Sequence, residues 1–124
     1  MLEINFIKHL QAEYPDIPVY SFFIPEDAPS KAFCFENAGY GIATTYKDGE
    51  SQITSRTIKL TLSSTNIADI YNTGELNKYI VKSSKIGDLP IISARILNFS
   101  DNFIPEQKIF ERTFTIQFKF LEVI

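Results

Sequence analysis

Near the end of the chain Phe110, Phe114, Ile116, Phe118 and Phe120 occupy even-numbered positions, with Glu111, Thr113, Thr115, Gln117 and Lys119 between them. Side chains alternate across a strand with a period of two. The run therefore predicts one long strand with an aromatic face against a core and a polar face toward water. At about 3.4 Å per residue such a strand reaches roughly 40 Å or more, so the sheet must bend or one end must project.

A one-faced strand needs a layer to cover it, and the composition supplies the material. Of 124 residues, 44% are hydrophobic, with eleven Phe and six Tyr, enough for one core in a single domain spanning residues 1–124. The net charge is -3 and no run of Lys or Arg occurs. Neutralising phosphates needs clustered cations, so strong binding to nucleic acid or to an anionic membrane is not expected. The single Cys34, between Phe33 and Phe35, reads as packing in a strand and fits a cytoplasmic assembly compartment. No signal-peptide pattern and no run near eighteen apolar residues is present, so a soluble, unprocessed chain is expected.

Leu2, Phe6, Ile7, Leu10 and Tyr14 recur at helical spacing, which predicts an amphipathic helix over residues 2–14, stopped by Pro15. Residues 19–24, between Pro18 and Pro25, read as a strand near a sheet edge. Pro25, Asp27 and Pro29 mark a rigid turn, and residues 31–37 read as the next strand. Residues 38–55 carry Gly39, Gly41 and a Lys47-Asp48-Gly49-Glu50 turn, which predicts a long loop or a protruding hairpin. Alternation returns at Arg56, with Ile58, Leu60 and Leu62 on one face. Asn66 then stands as an N-cap with Asp69 in the first turn of a helix that runs through Ile67, Ile70, Tyr71, Leu76, Tyr79 and Ile80. Gly74, at a cost of about 1 kcal/mol in a helix interior, breaks it. Residues 91–99 form a further strand, and 100–107 a polar turn before the last one. The sum is an α+β fold: a mainly antiparallel sheet of about five to six strands, with two helices packed on one face.

Catalytic and metal signatures are poor. His9, the only histidine, stands four residues from Glu13, which reads as a surface pair or simple exposure. One His and one Cys do not make a transition-metal site, and the carboxylate sets Glu26 with Asp27 and Glu106 with Glu111 lack calcium-loop spacing. Gly39-Tyr40-Gly41 lacks the third glycine and the Lys-Ser/Thr pair of a phosphate loop. The expectation is a protein that is not an enzyme and has no cofactor. What stands out is apolar material in segments expected outside the core: Tyr40, Tyr46 and Ile53 in the long loop, and Phe103 and Ile104 near the last turn. These five are the candidate subunit-interface residues.

The run from the first helix through Asp16-Ile17-Pro18-Val19-Tyr20, the Pro25-Glu26-Asp27-Ala28-Pro29 turn and the strand Ala32-Phe33-Cys34-Phe35-Glu36 ending in Asn37-Ala38-Gly39-Tyr40 resembles the opening of the minor capsid or tail terminator proteins of long-tailed bacteriophages and prophages. The later strand at 57–62, the helix after Asn66 and the two closing strands are similar in order. The resemblance implies a structural virion protein, assembled in the bacterial host cytoplasm, that caps the tail tube as a homo-oligomeric, hexameric ring. It also implies contacts with tail tube protein and head-tail connector proteins, and DNA passing through without specific binding. A ring needs two different complementary patches on each subunit, and the 38–55 segment is a candidate for one.

Two other readings stay open from the residues. One places the chain at the head completion or connector position. The other is a small cytoplasmic ligand-binding or enzymatic domain, for which Arg56, Arg95 and Arg112 would clamp an anion. The plainer role of those arginines is ion pairing across strands with Glu36, Glu111 or Glu122.

Overall fold

A computed structural model describes residues 2–21, 31–45, 51–81, 85–86 and 89–123. In chain order the elements are α1 (Leu2–Glu13), β1 (Val19–Ser21), β2 (Lys31–Thr45), β3 (Ser51–Ser64), α2 (Ile67–Tyr71), α3 (Gly74–Val81), β4 (Lys85–Ile86), β5 (Leu89–Ile104) and β6 (Ile109–Val123). The fold is α+β. Five strands form a mixed, mostly antiparallel sheet in the order β1-β2-β3-β6-β5, and the two-residue β4 adds to the end of β5.

The aromatic alternation sets which face is covered. Phe114, Ile116, Phe118 and Phe120 of β6 are buried on one side; Phe114 is level with Leu60 of β3 and Phe35 of β2, Ile116 with Ile58 of β3, and Leu62 and Phe33 extend the same wall. Against this wall α1 lays Phe6 and Leu10, both almost fully buried. The Phe6 ring meets Phe118 edge-on at 5.4 Å and Phe35 at 6.1 Å. Ile70 of α2 and Leu76 and Ile80 of α3 complete the same core. Each large side chain buried here is worth about 1.5–3 kcal/mol, so the β6 alternation is the main link between sequence and packing.

The other face of the sheet carries no helix among the described residues. It presents rows of polar side chains: Cys34, Thr61, Thr113 and Ser100 lie side by side, and Thr61 and Thr113 share a hydroxyl hydrogen bond of 2.9 Å. Two rows along, Glu36, Lys59, Thr115 and Asn98 are level, followed by Gly39, Thr57, Gln117 and Arg95.

Several boundaries differ from the sequence expectation. Of the two readings for residues 38–55, the described parts, 38–45 and 51–55, follow the hairpin, as paired antiparallel strands. β2 runs on to Thr45, β3 begins at Ser51, and Ser51 to Ser55 pair with Val123 to Lys119 of β6, so the hairpin arms belong to the sheet. Backbone ladder bonds offset the weak strand preference of Gly39 and Gly41. The Lys47-Asp48-Gly49-Glu50 turn and the turn at Pro25, Asp27 and Pro29 lie outside the described residues. The polar segment 100–107 is mostly strand, because Ser100 to Ile104 pair with Thr113 to Ile109. The reversal itself occupies residues 105–108, where Lys108 takes φ 53° and its N–H donates to the Pro105 carbonyl at 3.3 Å. β1 is an edge strand, as its flanking prolines imply, and it pairs parallel to β2.

The helix after Asn66 is indeed broken, one residue before Gly74. Asn66 Oδ1 caps α2 by accepting from the Ala68 N–H at 3.0 Å, and Ser64 Oγ donates to Asp69 at 2.6 Å. The Asn72 N–H closes α2 on the Ala68 carbonyl, and the Thr73 carbonyl accepts the first bond of α3 from Asn77. Gly74 therefore opens a helix instead of interrupting one, a position where its penalty is small.

Candidate functional site

Arg112 is the charged group most tightly held by the fold. It takes an even position in β6 beside Leu62, on the helix-covered face, and is 8% exposed. Its Nε and one terminal nitrogen donate to the two carboxylate oxygens of Asp101, directly across on β5, at 2.7 and 2.9 Å; the other terminal nitrogen donates to Thr73 Oγ1 at 3.0 Å. The guanidinium also lies 4.3 Å over the Phe99 ring and 5.9 Å from that of Tyr71. Forked pairing and stacking are what an arginine fork does best. The bonds from Arg112 hold the Asp101 carboxyl below the ordinary aspartate range, and Asp101 in turn raises Arg112. Its ion-pair partner is thus Asp101, not Glu36, Glu111 or Glu122. With three of its five N–H donors on Asp101 and Thr73 and its plane over the Phe99 ring, Arg112 acts as a strut between sheet and helices.

Around this strut the surface is apolar. Ile67 and Tyr71 of α2 and Phe99 and Phe103 of β5 are all exposed, and the Phe103 ring packs tilted against that of Phe110 at 4.7 Å. Between α2 and the β5–β6 turn Ile67, Tyr71, Phe103 and Phe110 line an open cleft of about 230 Å³ together with Asp101 and Asn102. Aromatic rings mixed with a half-covered charge pair, at one end of the sheet, are the composition of a protein-contact surface.

The interface candidates from the sequence separate into two regions. Phe103 and Ile104 lie together at the β5–β6 turn, Phe103 exposed and Ile104 half-buried opposite Ile109. Ile53 is half-buried on the open face, opposite Leu121, and Tyr40 belongs to β2 opposite Arg56. From Ile53 to Ser64, the level of the β5–β6 turn, is roughly 35 Å along β3, so the candidates do not form one patch. Tyr46 lies outside the described residues. Tyr71 and Ile67 were missed because helical spacing assigns them to the core side of a helix, and only the short length of α2 turns them out.

Other ring-bearing titratable groups tie the helices together. His9 stacks on Tyr79 at 5.3 Å, and the Tyr79 hydroxyl donates to the His9 carbonyl at 3.2 Å, which ties α1 to α3. Burial, then Glu13, raises both Tyr79 and Tyr14. Burial, followed by Glu36 and Glu111, keeps the Cys34 thiol protonated, and burial raises Glu111. Arg95 is exposed on the open face, and Arg56 is half-buried in β3. Among the described residues no group of three His, Cys, Asp or Glu side chains is placed to hold a metal. No helix among them is long and apolar enough to cross a membrane.

Comparison with solved structures finds a similar fold. The chain is similar to one from the virion of a native gene transfer agent particle, with a TM-score of 0.58 and 10% sequence identity, over 91% of this chain and 84% of that one. Identity this low speaks to a shared fold. No protein-family model matches the sequence, and no curated protein is similar to it.

Proposed function

We propose that this chain is a structural, non-enzymatic component of a phage-like virion, and that within it the chain caps the tail tube as a homo-oligomeric ring and helps form the surface that meets the head. The observation that carries the reading is the likeness in fold, over nearly the whole chain, to a protein of a gene transfer agent virion, a phage-like particle. The aromatic surface around Arg112 and the one-sided sheet support it, because a subunit that works by contact needs exposed apolar area more than a pocket. Assembly in the host cytoplasm belongs to the same reading.

The test is the solution mass by light scattering, followed by imaging of the purified protein alone and mixed with tail tubes. Ring-sized particles, or protein bound at tube ends, are expected. A protein that stays monomeric at high concentration and ignores tubes overturns the reading. Removing the protein from particle production separates the two virion positions: overlong tubes indicate a terminator, and heads that leak DNA indicate head completion.

A further inference from the structure

The sheet has two long outer strands that nothing described covers. β1 pairs with residues 33–35 of β2 only, and β4 with residues 89–90 of β5 only. Among the described residues, the outer edges of β2 from 36 to 45 and of β5 from 91 to 104 therefore have no strand beside them. Such an edge is a row of unpaired backbone donors and acceptors, a template for another chain.

Four features of these edges match one another. The long strands alternate in direction in the order β2-β3-β6-β5, so β5 runs opposite to β2. Copies related by rotation about an axis along the strands keep their directions, so β5 of one copy meets β2 of the next in the antiparallel sense. The free stretches also overlap in height, since Gly39 and Arg95 are level across the sheet, as are Glu36 and Asn98. Each outer strand carries two one-residue bulges, at Ala38 and Ala43 in β2 and at Ile92 and Leu97 in β5. The spacing within each pair is the same, so residues 39–42 and 93–96 are matched segments offset by one residue in height. Bulges of this kind bend a sheet toward closure.

The charges match as well. On the open face Arg95 is exposed at the β5 edge and Glu36 at the β2 edge. Within one subunit they lie three strand spacings apart, roughly 14 Å. In the paired arrangement Arg95 faces Gly39 of the neighbour, which has no side chain in its way, and reaches Glu36 on the diagonal.

We infer that the partner of each edge is a second copy of this chain: β5 of one subunit adds to β2 of the next, with Arg95 opposite Gly39, Ala94 opposite Tyr40 and Ser93 opposite Gly41, so that the sheets join into one closed wall. This rests on the ring proposed above. Exposed Ile92 and Leu97 then lie at the joint.

Cross-linking tests it. In a Cys34→Ser background, Gly39→Cys with Arg95→Cys places two thiols level with each other on adjoining subunits. A Cβ at Gly39 meets Thr57 Cβ at 3.8 Å, an ordinary contact. Strand neighbours are close enough for a disulfide, and the two positions within one subunit are not. Oxidation is expected to give a ladder of covalent multimers, while Gly39→Cys with Ser100→Cys, several rows out of level, gives none. As a second measurement that keeps the backbone intact, Glu36→Arg or Arg95→Glu alone should weaken association by roughly threefold or more per interface, and the two together should restore it. Rings that form without the 39/95 cross-link, or single and double reversals that behave alike, overturn the edge pairing and leave the ring standing. Monomers under every condition overturn both.

Discussion

Acid should loosen the Arg112 strut before it reaches the core. The Asp101 carboxyl is held below its ordinary range by Arg112. Its contribution is therefore fully present above the unfolded aspartate value and is lost as pH falls through the lowered folded one. The Asp101 side chain is 41% exposed, so water damps the effect. Asp101→Asn removes the carboxylate but leaves Arg112 almost buried, and is expected to cost about 2 kcal/mol at neutral pH. It should also flatten the acid limb of stability against pH, measured by urea unfolding; an unchanged acid limb would assign that limb to another carboxylate. This pairing was not legible from sequence. Residue 101 sits in Ser100-Asp101-Asn102, a run that reads as turn, and only the register of β5 against β6 puts it opposite Arg112.

At the level of elements, what could be read was what periodicity carries. The β6 alternation, the spacing in α1 and the Asn66 cap each fix a local structure through a face or an orphan amide, and each is found. The upper half of β5 was not readable, and the far half of β2 was readable only as one of two alternatives, a loop or a hairpin. Ser100, Asn102, Gly39 and Gly41 have poor strand preference, and they are held extended by partners distant in the chain. The cap lends itself to measurement. Asn66→Ala leaves the Ala68 N–H to water and should cost about 1 kcal/mol, seen as a lower urea midpoint, with Asn66→Asp close to wild type. Because α2 also carries Asp69, bonded to Ser64 and 3.6 Å from Lys31, loss of the cap should free the start of the α2–α3 layer. Hydrogen exchange at residues 67–71 would show it.

For the whole molecule, one face of the sheet is spent on the core, and the aromatic surface at the β5–β6 end contributes little to it. Tyr71→Ser with Phe103→Ser, both well exposed, should shift the unfolding midpoint by no more than about 0.5 kcal/mol equivalent while reducing binding at tube ends in imaging. A large loss of stability would instead assign these rings to the core. Sequence pointed to this end through Phe103 and Ile104, and it could not show that α2 brings Tyr71 beside them, because that meeting depends on the break at Thr73.

The alternation of strand direction has a consequence for traffic at such a ring. With the long strands standing along the axis, every β5–β6 turn falls on one rim, with Phe99, Phe103 and Tyr71 near it, and every C-terminal end of β6 falls on the other. A ring of the proposed kind would be a washer with a marked side. A stack of identical washers needs each side to accept the other, and here one rim is aromatic while the other is built from different residues. Under the proposed function, such an object would be set down on a polymer in one orientation and would offer the next arrival a different surface, so that growth would end where it lands.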